Sequence, residues 1–245
     1  MIAEKQLNEL VERLRSAAGS NLESVILFGS AVAGDYHPEF SNLNIFCVVR
    51  DASLPALQAL APAAKWWNEQ RQPPPLVMTR GEIERSTDVF TIELLDMQQH
   101  HRVLFGDDAI QGLMIPPKLH AIQVEYELRE KLVLLRQHFL LAAGDESRTW
   151  DVLLRSVSSF ATLFRHGLIV LGHPAPASKR EAVNGLAQQL RFDASGFLDV
   201  LNVREKKTNR KTLNLSTVCA QYITAVEHIT DAVDKMLDSN SPASR

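Results

Sequence analysis

The sequence predicts an α+β protein in which a small mixed-sheet domain over residues 1–112 precedes an all-α helical bundle over 113–238. Three observations carry that prediction. Short apolar runs rich in strand formers alternate with helical stretches as far as Gly106. The pattern changes after Gly112, and from Pro117 onward long segments repeat apolar residues at helical spacing. The tail 239–245, Ser-Asn-Ser-Pro-Ala-Ser-Arg, has the composition of a disordered terminus.

Each element follows from its residues. Leu7, Leu10, Val11 and Leu14 recur at helical spacing, so residues 3–17 are expected to be an amphipathic helix, stopped by Gly19-Ser20-Asn21. Ser24 to Phe28 reads as a short strand running into Gly29-Ser30, and Leu43 to Val49 as a second strand. Residues 53–69 read as a helix that Pro62 should kink or split. Leu76 to Thr79 reads as a third strand, 80–87 as a helical turn, and both Phe90 to Met97 and Val103 to Phe105 as further strands. In the second half, 118–142 is expected to present one broad stripe including Leu119, Ile122, Val124, Tyr126, Leu128, Leu132 and Leu135. Residues 148–171, 179–190, 194–203 and 215–237 complete a bundle of about five helices, the third opened by a Ser178/Glu181 capping box.

Composition narrows the function classes. Hydrophobic residues make up 45% of the 245 and charged residues 22%, ordinary values for a chain with a buried core. A net charge of −3 provides no general attraction to nucleic acid or to an anionic membrane, so neither is an expected partner. The basic run Arg204 to Lys211 lacks interleaved aromatics and reads as a solvated loop. No stretch reads as a secretory signal or a membrane span, and Cys47 and Cys219 read as free thiols, which together point to the cytoplasm. A homodimer is among the assemblies left open. No G-x-G-x-x-G or G-x-x-x-x-G-K-[ST] pattern supports a dinucleotide or Walker-type site.

The chemistry concentrates in Leu27-Phe28-Gly29-Ser30-Ala31-Val32-Ala33-Gly34 and Ser41-Asn42-Leu43-Asn44-Ile45-Phe46. A Gly-Ser pair between a strand and a helix lets backbone N–H groups and a hydroxyl approach phosphates closely. Residues 42 and 44, two apart in an extended chain, project to one face.

This pattern resembles the signature of the DNA polymerase β-like nucleotidyltransferases, in which a later Gly and a Ser-Asp-x-Asp sequence follow the Gly-Ser. The helical second half is similar in general character to the aminoglycoside nucleotidyltransferases. The resemblance implies a nucleoside triphosphate as ligand, with Gly29, Ser30, Gly34 and Ser41 around its phosphates. It implies two Mg²⁺ ions held by paired carboxylates at positions 42 and 44, and there this chain departs, with Asn42 and Asn44. An amide offers one neutral oxygen in place of two charged ones, so Mg²⁺ binding is expected to be weakened. A third carboxylate is implied from a later strand. Glu93 and Asp96 are the candidates, placed by strand alternation on opposite faces, with Glu93 favoured. Asp35 and Glu39 lie between the motif halves, within reach of the cleft. The reading that follows is a nucleotidyltransferase-fold protein, catalytically impaired, that binds nucleotide or a partner. Its alternatives are an active Mg²⁺-dependent transferase acting on a hydroxyl of a small molecule or protein, and a non-enzymatic helical interaction module.

Overall fold

A computed structural model of the chain describes residues 2–33 and 42–239. The chain divides into two compact units, Met1–Pro116 and Pro117–Arg245.

In the first unit, helix α1 (Ile2–Ala18) leads into strand β1 (Leu22–Phe28) and, through the short helix α2 (Ser30–Ala33), toward β2 (Asn44–Val49). Helix α3 (Leu54–Glu69), strand β3 (Leu76–Thr79), helices α4 (Arg80–Arg85) and α5 (Thr91–Gln99), and strand β4 (His101–Gly106) complete it. The sheet order is β3-β2-β1-β4, with β1 antiparallel to both β2 and β4 and β2 parallel to β3. The two central strands are apolar at almost every position because both of their faces are covered. Val25, Leu27, Ile45, Cys47 and Val49 pack with Leu7, Leu10 and Leu14 of α1 and with Leu60, Ala63 and Trp67 of α3. Ile26, Phe46 and Val48, one residue out of phase, pack with Ile83 of α4 and Leu94 and Met97 of α5. The result is a helix–sheet–helix sandwich.

Two expectations for this unit are corrected. Phe90 to Met97 is not a strand. Helix α5 buries Thr91, Ile92, Leu94 and Met97, and the three-residue steps from 91 to 94 to 97 are helical, which the imperfect alternation concealed. Glu93 and Asp96 therefore share one side of a helix rather than opposing faces of a strand. Helix α3 is also not split at Pro62. A proline removes one rung from the ladder, and burial of Leu60, Ala63 and Trp67 on either side of it holds the helix together.

The second unit contains α6 (Pro117–Ala142), α7 (Glu146–Val170), α8 (Lys179–Leu190), α9 (Ser195–Arg204) and α10 (Leu215–Ser239). Asp145 caps α7 by accepting from the Arg148 N–H at 3.0 Å, and Ser178 caps α8 by accepting from the Glu181 N–H at 3.2 Å. The core is aromatic. Phe197 stacks on Tyr222 with ring centroids 3.9 Å apart, edge-on Phe160 packs against both, and the Tyr222 hydroxyl is 2.9 Å from that of Ser156. His120 Nε2 lies 2.8 Å from His166 Nδ1, a buried hydrogen bond joining α6 to α7.

The single broad stripe expected on α6 is two faces. Val124, Leu128, Leu132 and Leu135 are buried, whereas Leu119, Ile122 and Tyr126 are exposed. Residues 119, 122 and 126 lie half a turn away from 124, 128 and 135, so a common apolar list had merged two directions. Cys47 is buried and Cys219 half-buried, both as free thiols. The basic run is tied down locally, with Arg204 donating to the Leu154 carbonyl and Lys207 paired with Glu205. No described helix is long and apolar enough to cross a membrane. The terminal residues 240–245, expected to be disordered, lie outside the described residues.

Candidate functional site

The site is built where β1 ends. Gly29 has φ +81°, a conformation that L side chains rarely adopt, and it turns the chain from β1 into α2. Its carbonyl accepts from the N–H groups of Val32 (2.9 Å) and Ala33 (3.0 Å), closing the single turn of α2. Its own N–H donates to the His100 carbonyl at 3.1 Å, which fastens the turn to the end of α5. Ser30 is the first residue of α2, where helical N–H groups have no partner within the helix.

Position 44 lies at this turn. Asn44 pairs with Phe28 at the start of β2, and a Cβ placed on Gly29 would sit 3.1 Å from the Asn44 side-chain nitrogen. Leu43 is buried on the α1/α3 side of the sheet, and its N–H donates to the Gln72 side-chain oxygen at 2.8 Å. By strand alternation Asn44 lies on the opposite, α4/α5 face. Asn42 precedes the strand and is exposed. Gly34 and Ser41, expected around the phosphates, and Asp35 and Glu39 lie outside the described residues.

Helix α5 comes to the same turn from the other end. Asp96 is four residues before His100, about 6 Å along the helix axis, and Glu93 about 10 Å before it. Asp96 is half-buried and Glu93 exposed. The reversal from strand to helix thus makes Asp96 the nearer of the two carboxylates to Gly29.

Sequence reasoning missed His101. Nothing in the local sequence shows what its ring meets. In β4 it pairs with Phe28, its Nδ1 lies 2.7 Å from the Met97 carbonyl, and its Nε2 lies 2.9 Å from an Asp108 carboxylate oxygen. Both partners accept, so both contacts are hydrogen bonds only when the ring carries both protons. Asp108 also accepts from the N–H groups of Ile110 and Gln111. Burial pushes its pKa up, but the His101 contact and these two N–H groups outweigh that and hold it below the usual value of 3.8. His101 thereby braces the α5–β4 corner that carries the His100 carbonyl.

On the opposite, α1/α3 face of the sheet, a cavity of about 410 Å³ opens beside α2. Leu7, Leu27, Ala31, Val32 and Leu43 form its apolar lining, with Glu4 and Arg102 at its polar side. Arg102 donates to both Glu4 oxygens, at 2.9 and 3.1 Å, and this lowers the Glu4 pKa.

Among the described residues, the strand donors at this turn do not supply the paired carboxylates that two divalent cations require. Asn42 and Asn44 are neutral, and Glu23 is the one carboxylate on the four described strands. Glu23 lies five residues before Phe28, roughly 17 Å along β1 from the turn. Its two oxygens face Arg50 at 3.3 Å and Arg80 at 2.9 Å. Among the described residues no group of three or more His, Cys, Asp or Glu side chains is arranged to hold a metal ion.

Residues 7–96 match the family model described as a nucleotidyltransferase domain. A comparison with curated proteins gives no significant match. Among solved structures, the chain is similar to spectinomycin adenyltransferase AAD(9) from Enterococcus faecialis, solved with ATP and spectinomycin. The TM-score is 0.59 at 15% identity, over 94% of this chain and 99% of that one, a likeness of fold. A toxin-antitoxin structure with AMP-PNP is more distantly similar, with TM-score 0.32 and 17% identity over 52% of this chain and 94% of that one, too low to build on. Residues 7–96 are thus similar to the nucleotidyltransferase domain family, and the fold of the chain is similar to that of a solved adenyltransferase.

Proposed function

We propose that the first unit binds a nucleotide through its Gly29-Ser30 turn and has lost most or all metal-dependent nucleotidyl transfer. The observation that carries the reading is the neutral Asn44 amide set against Gly29, where the family resemblance calls for a carboxylate. A pair of unit charges about 4 Å apart near a protein surface is worth roughly 4 kcal/mol. Replacing two carboxylates by amides removes at least one interaction of that size from each bound cation. What remains is the phosphate-binding half of the site: Gly29, which permits close approach, the Ser30 hydroxyl, and the backbone N–H groups of Ser30 and Ala31, which the Gly29 carbonyl does not take. Gly34 and Ser41 belong to the same proposal. The neighbour AAD(9), solved with ATP, supports a nucleoside triphosphate as the ligand class.

Active transfer is the competing reading, and one observation favours it. Glu93 and Asp96 share a side of α5, so two carboxylates lie together where alternation on a strand would have separated them. Calorimetric titration of the full chain with each nucleoside triphosphate, with Mg²⁺ and with EDTA, decides between them. The proposal expects binding in both conditions, with dissociation constants within about threefold of each other. An affinity gain of about tenfold or more with Mg²⁺ would favour the active enzyme. No heat with any triphosphate would leave the interaction-module reading.

A further inference from the structure

We infer that the outward face of α6 is the contact surface of a homodimer, in which two copies of this chain pair their α6 helices antiparallel. The inference uses the helical unit alone and stands apart from the nucleotide reading.

The observation is the second apolar face of α6. Tyr126 is 61% exposed, Val133 51%, Leu134 43%, Leu140 77% and Leu141 78%, and Ile122 at 45% extends the row. These residues point away from the buried row of Val124, Leu128, Leu132 and Leu135 on the same helix. At roughly 200 Å² for a fully exposed residue of this size, the six leave on the order of 700 Å² of mostly apolar surface in water. The largest apolar patch of an ordinary monomer is about 300–600 Å². Each partner in a standard interface contributes about 800 Å². The summed exposure of the row is thus at the upper end of what a monomer carries and close to what one side of a dimer needs.

From Tyr126 to Leu141 the order of residues along the row is self-complementary, and this selects a second copy as the occupant. An isologous contact needs a row that reads the same way from both ends. A two-fold axis between residues 133 and 134 brings Val133 of each copy against Leu134 of the other. It lays Tyr126 over Leu140 and Leu141 of the partner copy, and it sets Glu130 opposite Gln137, a carboxylate facing an amide donor. Glu130 and Gln137 are both exposed, so neither is held in the bundle core. The flanking charges are already neutralised within the chain: Glu125 with Arg129 at 2.6 Å, Glu127 with Lys131 at 2.9 Å, and Arg136 with Glu227 at 2.7 Å. These ion pairs, with Arg129 also 2.8 Å from Asp234, reduce the like-charge repulsion that the rim adds to the pairing.

Sedimentation equilibrium of the full chain across the micromolar range tests this, with far-UV circular dichroism to confirm that each variant is folded. The wild type is expected to dimerise. Val133→Glu with Leu134→Glu puts four carboxylates around the axis and should raise the dissociation constant by about a hundredfold or more. Two single variants test the register. Gln137→Lys, facing Glu130 of the partner, should tighten the dimer by up to about tenfold, and Gln137→Glu should weaken it by a similar factor. A wild type that stays monomeric at the highest concentration overturns the inference, including the case in which a different protein covers the face. A dimer indifferent to the double variant, or one that responds in the same direction to both residue-137 variants, overturns it as well.

Discussion

Gly196→Ala and Gly167→Ala should shift the stability of the helical unit in opposite directions, although both glycines lie in helices. Alanine in place of glycine in a helix is ordinarily stabilising by about 0.5–1 kcal/mol, because the unfolded chain loses freedom it would otherwise regain. At Gly167, in α7, a Cβ would meet only the Leu186 methyl groups at 3.5 and 3.9 Å, which is ordinary contact. The gain should be realised there. At Gly196, in α9, a Cβ would lie 2.8 Å from the Tyr222 nitrogen, 2.9 Å from the Gln221 Cβ and 2.9 Å from the Val218 carbonyl oxygen. Two of those atoms are backbone of α10 and the third is fixed to it, so no rotamer change relieves the contact. The helices must separate by several tenths of an ångström, loosening the 3.9 Å Phe197–Tyr222 stack directly beneath. Overpacking of this kind costs about 1–3 kcal/mol, which exceeds the propensity gain and leaves a net loss of about 1–2 kcal/mol. Urea unfolding followed by circular dichroism at 222 nm, a wavelength that reports helix, measures both variants on the full chain. Equal shifts, or a stabilising Gly196→Ala, would refute the close approach of α9 to α10.

Gly29→Ala should cost about 1–2 kcal/mol, since it places a Cβ residue at positive φ, and should weaken nucleotide binding by displacing Asn44. Melting curves and calorimetry check the two effects; a variant of wild-type stability would contradict the turn. Asp108 sets an acid limit on the first unit. Its folded pKa lies below the ordinary 3.8, so its contribution is fully present above that value and is lost as the pH falls through the folded pKa. Unfolding followed from pH 5 to pH 2 should show a loss below about pH 4 that Asp108 shares with Glu4, Asp51 and Glu82, so Asp108→Asn should reduce it without abolishing it, and an unchanged acid profile in that variant would count against the His101–Asp108 bracing.

How far the sequence carried the fold depended on where each element's energy comes from. Helix α1 and strands β1 to β3 were legible because their burial follows a local period, as in Leu7, Leu10, Val11 and Leu14 against the continuous run from Ser24 to Leu27. Helix α5 was not, since its nine residues carry almost no contrast between faces and its identity comes from packing of Leu94 and Met97 on the sheet. The merged stripe on α6 failed differently: two true periods half a turn apart look like one rich helix when only apolar residues are counted. At the site, the Gly29-Ser30 turn and the position of Asn44 beside it could be read from the motif, because a glycine turn and a two-residue step are properties of the local chain. The His100 carbonyl that holds Gly29, and the His101 ring between Met97 and Asp108, join segments about seventy residues apart or depend on a corner the sequence did not show. No local pattern announces such contacts.

Restoring the missing charges tests the central claim most directly. Asn42→Asp combined with Asn44→Asp, titrated with a nucleoside triphosphate in the presence of Mg²⁺ and of EDTA, is expected to gain Mg²⁺-dependent affinity by about tenfold or more, equivalent to about 1.4 kcal/mol. The wild type is expected to show almost no such dependence. A double variant as indifferent to Mg²⁺ as the wild type would mean that positions 42 and 44 do not face a cation site beside the Gly29-Ser30 turn.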